Sequence, residues 1–199
     1  GRWGVVIADV SDKGVPAALF MALSRTTIRN IALRGRAPAE VLSWANRYIQ
    51  EDSQSDMFLS AFYAELNTVT GRLTYANAGH NPPLWWRKAE NTIIYLTGGC
   101  PVLGVLAEVD VQVFTADLAA GDVLVLFTDG ITEAIDDDFR EFAVARLERT
   151  LRHVLMEQPE VSADDIRAAI AAEVSRFAGS MVQYDDMTLL IIRRGEAAD

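Results

Sequence analysis

At 199 residues, half of them hydrophobic, the chain is long enough to bury an ordinary core and too apolar for a disordered tail. Its 18 Lys and Arg against 28 Asp and Glu leave a net charge of −10, which argues against a general basic surface for nucleic acid or an anionic membrane. One cysteine, Cys100, excludes an internal disulfide, and no apolar stretch reaches the roughly 18–20 residues that span a bilayer. A cytoplasmic setting, with no cleavable leader, is the default expectation.

The first apolar run, Val5-Val6-Ile7-Ala8, ends at Asp9 and passes through Val10-Ser11-Asp12-Lys13-Gly14 to Pro16, which opens a helix running to about Leu33. The first half of that helix is apolar nearly all round and is expected to be buried. Gly35 and Pro38 separate it from a second helix (38–53) with a stripe of Val41, Leu42, Ala45, Tyr48 and Ile49. Two strands, 58–66 and 72–78, joined by a turn ending at Thr70-Gly71, read as a hairpin. Shorter strands are expected at 84–87, 93–96 and 111–116, and a long apolar one at 123–127. Two helices follow, one carrying Ala143, Leu147, Leu151 and Val154. The other carries Ile166, Ile170, Val174 and Phe177 behind a Ser162/Asp165 capping box. A strand at 187–192 closes the chain.

This order is α+β and lacks the alternation of a doubly wound parallel sheet. The expected architecture is a four-layer αββα sandwich of two mainly antiparallel sheets flanked by helix pairs, in one domain spanning 1–199. The runs at Asp9, at Asp129-Gly130 and at Asp185-Asp186 resemble strands buried on both faces. If the last strand runs antiparallel to the other two, Asp9, Asp129 and Asp185 meet at one edge. Clustered carboxylates repel, and a divalent cation relieves that repulsion. Oxygen-only ligation favours Mg²⁺ or Mn²⁺. The alternative is that each Asp separately caps a helix or shapes a turn.

Four segments occur in the order found in one family: Asp9-Val10-Ser11-Asp12-Lys13-Gly14-Val15-Pro16-Ala17-Ala18, 70–83 (containing Asn77-Ala78-Gly79-His80-Asn81-Pro82-Pro83), Thr128-Asp129-Gly130-Ile131-Thr132-Glu133-Ala134, and Asp185-Asp186-Met187-Thr188. The chain resembles, over essentially its whole length, the SpoIIE-like branch of the metal-dependent protein serine/threonine phosphatases, relatives of the type-2C enzymes. The resemblance implies hydrolysis of phosphoserine or phosphothreonine with two Mn²⁺ or Mg²⁺ ions about 3.5–4 Å apart activating a bridging water. It places Asp9 as the carboxylate bridging both metals, the Val10 carbonyl as a backbone ligand, and Asp129 and Asp185 as the remaining carboxylates. It also implies a phosphorylated regulatory protein as substrate, such as an anti-anti-sigma factor. A preceding sensor domain and movement of the helix pair at 16–33 and 38–53 to complete the metal site complete that picture, and a homodimer is a separate expectation for the chain.

Two departures stand beside the match. Family members carry a Gly-Gly-Asp segment on a strand before the one holding Asp9, and this chain starts past it, at Gly1-Arg2-Trp3. The expectation is that the N-terminal strand has been lost, so that the 199-residue chain binds one of its metals poorly and turns over slowly. Ala143 stands where a Gly is common. The rival function is a catalytically silent module that sequesters a signalling partner.

Other chemistry-bearing residues receive structural readings. His80 is weighed as a general acid against a hydrogen-bonded corner between strands, and the corner is preferred. Cys100 is read as a small packing residue, Asp136 to Asp138 as a solvated loop, Lys13 and Arg25 as solvated cations, and His153 without chemistry. Trp44, Trp85 and Trp86 are read as packing. Asp186 is read as orienting its loop, and Asp12 as a candidate water ligand.

Overall fold

The computed structural model describes residues 1–52, 57–183 and 185–195, so Ser53, the expected end of the second helix, lies outside the described residues. The chain divides into two compact units: residues 1–80 with 97–117, and residues 81–96 with 118–199.

The first unit holds an antiparallel sheet in the order β1-β2-β3-β6, built from β1 (Arg2–Val10), β2 (Leu59–Asn67), β3 (Arg72–Ala78) and β6 (Phe114–Asp117). The expected hairpin is β2–β3. Asn67 shapes its turn by accepting from the amides of Val69 and Thr70 at 3.0 Å, and Gly71, at φ 79°, takes the left-handed position. Helices α1 (Val15–Ala32) and α2 (Pro38–Asp52) pack on one face. Phe20, Ile28, Val41, Leu42, Ala45 and Ile49 meet Leu59, Ala61, Tyr63, Ala76 and Ala78 there, the alternate residues of the strands. On the other face Phe62, Tyr75 and Phe114 stack, with centroids 5.2 and 5.6 Å apart.

The second unit repeats the plan with β4 (Leu84–Arg87), β5 (Thr92–Tyr95), β7 (Val123–Phe127) and β8 (Leu189–Arg193), in the antiparallel order β5-β4-β7-β8. A short helix α3 (Asp129–Thr132) leads to α4 (Ala143–Glu157) and α5 (Ala163–Ala178). Leu147, Leu151, Ile166, Ile170 and Val174 cover Leu84, Trp86, Val123, Val125 and Phe127. The capping box starts α5: the Asp165 amide donates to Ser162 Oγ at 3.1 Å, and that hydroxyl donates to the Asp165 carboxylate at 2.7 Å. Asp122 is a buried hub, accepting from Trp85 Nε1 (3.0 Å) and from the amides of Lys88 and Ala119 (both 2.9 Å).

Two expectations need correction. Only β7 is buried along its whole length, because β1 and β8 each close one edge of their sheets and have a strand neighbour on one side only. Helix α1 buries a single stripe of Ala17, Phe20, Ser24, Ile28 and Ile31, while Val15, Leu19 and Leu23 stay exposed. Its apolar composition exceeds the one face that α2 and β1 offer it. The α+β class, the two antiparallel sheets and the helix pair belonging to each are as the sequence implies.

Candidate functional site

In the second unit the apolar run of β7 ends at Thr128, which is 1% exposed. Its backbone is extended and its side chain does not cap α3. The hydroxyl instead reaches across to the segment before β8, donating to the Asp186 carbonyl and accepting from the Thr188 amide, both at 2.9 Å. The Thr128 amide adds a bond to the Thr188 carbonyl at 3.1 Å. Three hydrogen bonds thus continue the β7–β8 ladder past its last regular pair, Phe127–Leu189.

That clamp draws residues 185–186 against the first turn of α3. A Cβ on Gly130 would lie 2.5 Å from the Asp186 carbonyl oxygen and 3.3 Å from the Asp185 carbonyl carbon, so only glycine admits this approach. Asp129 begins α3 beside it, its own carbonyl accepting from the Glu133 amide at 2.8 Å and from Thr132 Oγ1 at 3.1 Å. Asp129 Oδ1 is buried and has no hydrogen-bond partner among the described residues. Asp185 is half-buried, with Oδ1 accepting from the Asp186 amide at 2.9 Å. Asp186 is exposed, and its backbone groups do the anchoring, in keeping with the orienting role read from the sequence.

In the first unit Asp9 and Val10 close β1 opposite Ser60 and Leu59. Directly opposed residues of an antiparallel pair present their side chains on one face, so the Asp9 carboxylate and the Ser60 hydroxyl share a side of the sheet. Ser60 Oγ lies 2.8 Å from His80 Nδ1, and His80 is 4% exposed. Asn77 fixes the corner, its Oδ1 accepting from the His80 amide at 2.8 Å and its Nδ2 donating to the His80 carbonyl at 3.0 Å. The corner preferred from sequence is therefore what the fold builds. Beyond Val10, the Ser11 amide donates to the Phe58 carbonyl (3.1 Å) and Ser11 Oγ accepts from the Phe58 amide (3.0 Å). Asp12 is exposed and accepts from the adjacent Lys13 amide at 2.8 Å.

The structure therefore brings Asp129 and the Asp185–Asp186 segment together in one unit, and places Asp9 and Val10 with Ser60 and His80 in the other. Among the described residues no group of three or more His, Cys, Asp or Glu is arranged to hold a metal. Sequence reasoning missed the parts played by Thr128 and Ser60. A polar residue closing a fully apolar strand, directly before Asp-Gly, is the one signal that marks Thr128.

Cys100 and the tryptophans follow their structural readings, whereas Asp136, read as part of a solvated loop, is buried. Burial raises the Cys100 thiol pKa, which suits packing rather than nucleophilic work. The Asp136 carboxyl is held below the usual carboxylate range by hydrogen bonds from the Arg140 side chain and amide, and it shapes the loop before α4. Trp85 and Trp86 are buried, and Trp44 lies between the guanidinium groups of Arg36 and Arg47 at 5.2 and 5.0 Å.

The oxygen-only chemistry of these aspartates suits a hard divalent cation. A buried carboxylate oxygen without a hydrogen-bond partner is costly, and a cation is a partner that such an oxygen would accept. Two antiparallel sheets, each with its helix pair and with aspartates at the strand ends, define an α+β fold. The chain belongs to the Stage II sporulation protein E (SpoIIE) family, whose family model matches residues 1–195, and so to the SpoIIE-like branch of the metal-dependent phosphatases. The phosphoserine phosphatase RsbU of Bacillus subtilis (strain 168) is 32% identical over 191 residues, a match that covers 96% of this chain and 55% of that protein. The chain thus spans about half the length of RsbU. Among solved structures, the RsbU and RsbW domains of Rv1364c from Mycobacterium tuberculosis superpose with a TM-score of 0.82 at 26% identity, covering 98% of this chain and 52% of that one. The SiaA-PP2C domain of Pseudomonas aeruginosa gives 0.81 at 22% identity, with 96% and 80% covered.

Proposed function

We propose that residues 1–199 form one phosphatase domain that hydrolyses phosphoserine or phosphothreonine on a regulatory protein, with Mn²⁺ or Mg²⁺ as cofactor. The observation that carries this reading is the buried, unpartnered oxygen of Asp129 beside the clamped Asp185 segment. Asp9, the Val10 carbonyl, Asp129 and Asp185 are the residues that would hold the metals. When bound, the cations would supply Lewis-acid charge and lower the pKa of a water.

The chain's own residues do the rest. Thr128 and Gly130 fix how closely the backbone of residues 185–186 approaches the first turn of α3, which Asp129 begins. Ser60, His80 and Asn77 make a rigid polar floor on the Asp9 side of β1. Pre-positioned carboxylates lose little entropy when they take up a cation, the usual advantage of preorganisation.

The substrate class that best fits the relatives is a phosphorylated regulator such as an anti-anti-sigma factor, met in the cytoplasm. Among the described residues no helix is long and apolar enough to cross a membrane. The test is phosphate release from a phosphoserine peptide by the full-length protein with Mn²⁺, alongside Asp129→Asn. Release that needs metal and disappears in the substitution supports the enzyme. Equal background release from both proteins would leave only the silent binding module.

A further inference from the structure

Helices α4 and α5 enclose a cleft of about 380 Å³ lined by Arg146, Arg149, Thr150, His153, Glu173 and Arg176. None of these residues enters the phosphatase reading above. The volume is that of a small-ligand pocket.

Its chemistry is unusual for this chain. The protein carries a net charge of −10, yet three guanidinium groups line the cleft against a single lining carboxylate, Glu173. That carboxylate is shared: Arg146 approaches it at 3.6 Å, and Arg176 bonds to its other oxygen. Arg149 is exposed and makes no hydrogen bond or ion pair among the described residues. His153 stands 3.5 Å from Glu157 at the far end. Positive charge is therefore concentrated beyond what the local acids neutralise, and that favours an anion.

Two of the arginines, Arg146 and Arg176, are also held in place. Arg146 lies over the Phe177 ring at 4.4 Å and over Phe142 at 5.8 Å, and those two rings pack edge to face at 5.5 Å. Glu173 is itself largely buried, with 16% of its side chain exposed, so it fixes Arg146 and Arg176 from below. A guanidinium held by a ring on one side and a carboxylate on the other has little rotamer freedom left to lose when it binds. Exposed arginines on a solvated helix lack both supports.

We infer that the α4–α5 cleft is a binding site for a phosphate-class oxyanion, held by Arg149 and Arg176 with Arg146 prearranged beneath them. Phosphate suits the site better than a carboxylate does, because its tetrahedral oxygens can accept from several guanidinium forks approaching from different sides, whereas a carboxylate is filled by one bidentate fork. The phosphate can be free in solution or borne on a protein side chain.

The test uses the full-length protein with EDTA present, so that the proposed metal site is empty. Inorganic phosphate is titrated while the arginine Nε–H resonances are followed by NMR, against chloride at matched ionic strength. Saturable shifts at Arg146, Arg149 and Arg176 with phosphate, absent with chloride, are expected. In Arg149→Gln/Arg176→Gln, two exposed positions whose replacement leaves the core intact, affinity falls at least about tenfold, whereas Arg167→Gln on the same helix α5 leaves it unchanged. A phosphoserine peptide that displaces inorganic phosphate from these resonances identifies a protein-borne ligand, and one that does not identifies free phosphate. Identical shifts with chloride, or a double variant that titrates like the wild type, would overturn the inference.

Discussion

Thr128→Val is the most informative single change in the second unit. Valine keeps the shape of threonine and the extended backbone, and removes only the hydroxyl that donates to the Asp186 carbonyl and accepts from the Thr188 amide, both at 2.9 Å. Each such bond contributes about 0.5–1.5 kcal/mol net, and a buried polar group left without its partner costs about 1–3 kcal/mol. Thr128 itself is 1% exposed, but Asp186 and Thr188 are exposed, so water can satisfy part of what they lose. The expected loss is therefore about 1–3 kcal/mol in urea denaturation of the full-length protein. Faster hydrogen exchange at the Thr188 amide and weaker Mn²⁺ binding should accompany it, because the Asp185 segment is no longer tied to the end of β7. Thr128→Ser keeps the hydroxyl and should restore exchange and metal affinity. A valine variant within about 0.5 kcal/mol of wild type, with unchanged exchange and Mn²⁺ affinity, would refute the clamp.

Three further outcomes follow from the same geometry. Ala143 holds φ at +61°, a left-handed conformation costing an L-residue about 1–2 kcal/mol, so Ala143→Gly should gain about 0.5–1 kcal/mol after glycine's own entropy cost, seen as a higher Tm; a lower Tm would contradict that. Gly130→Ala forces a methyl group to within 2.5 Å of the Asp186 carbonyl and should cost about 1–3 kcal/mol while weakening Mn²⁺ binding; a variant with native stability and affinity would show that the close approach is dispensable. Burial and the hydrogen bond to Glu148 push the Tyr95 phenol up to about 12. The raised value means its stabilisation is complete below the ordinary phenol pKa near 10 and is lost as pH rises through about 12. A tyrosinate absorbance titration should lose a phenol titrating near 12 in Tyr95→Phe and move it downward in Glu148→Gln, and an unchanged curve in both would count against the contact.

The parts of the fold legible in the sequence are those decided by neighbours along the chain. The β2–β3 hairpin follows from Thr70-Gly71 between two apolar runs, and Ser162 with Asp165 marks the start of α5. The corner around His80 follows from Asn77 three residues earlier, which clasps it through both backbone groups. What the sequence concealed depends on partners far along the chain. Val15, Leu19 and Leu23 resemble core residues by composition, and only the packing of α1 shows that they face outward. The edge positions of β1 and β8 depend on strand order, which periodicity does not encode. Thr128 acquires its role from a segment about 60 residues later, and Ser60 from its register with Asp9 and its contact with His80. For the candidate ligands, the structure added what holds the segment before β8 against the first turn of α3: a threonine clamp on one side and a glycine without a side chain on the other.

The central claim is that the buried oxygen of Asp129 is a cation ligand. Its most direct test is Mn²⁺ binding to the full-length protein, followed by calorimetry and by the loss of the free-Mn²⁺ electron paramagnetic resonance signal. The account predicts saturable binding in the wild type that weakens at least about tenfold in Asp129→Asn, with folding intact by circular dichroism. An isotherm for Asp129→Asn that superposes on that of the wild type would contradict it.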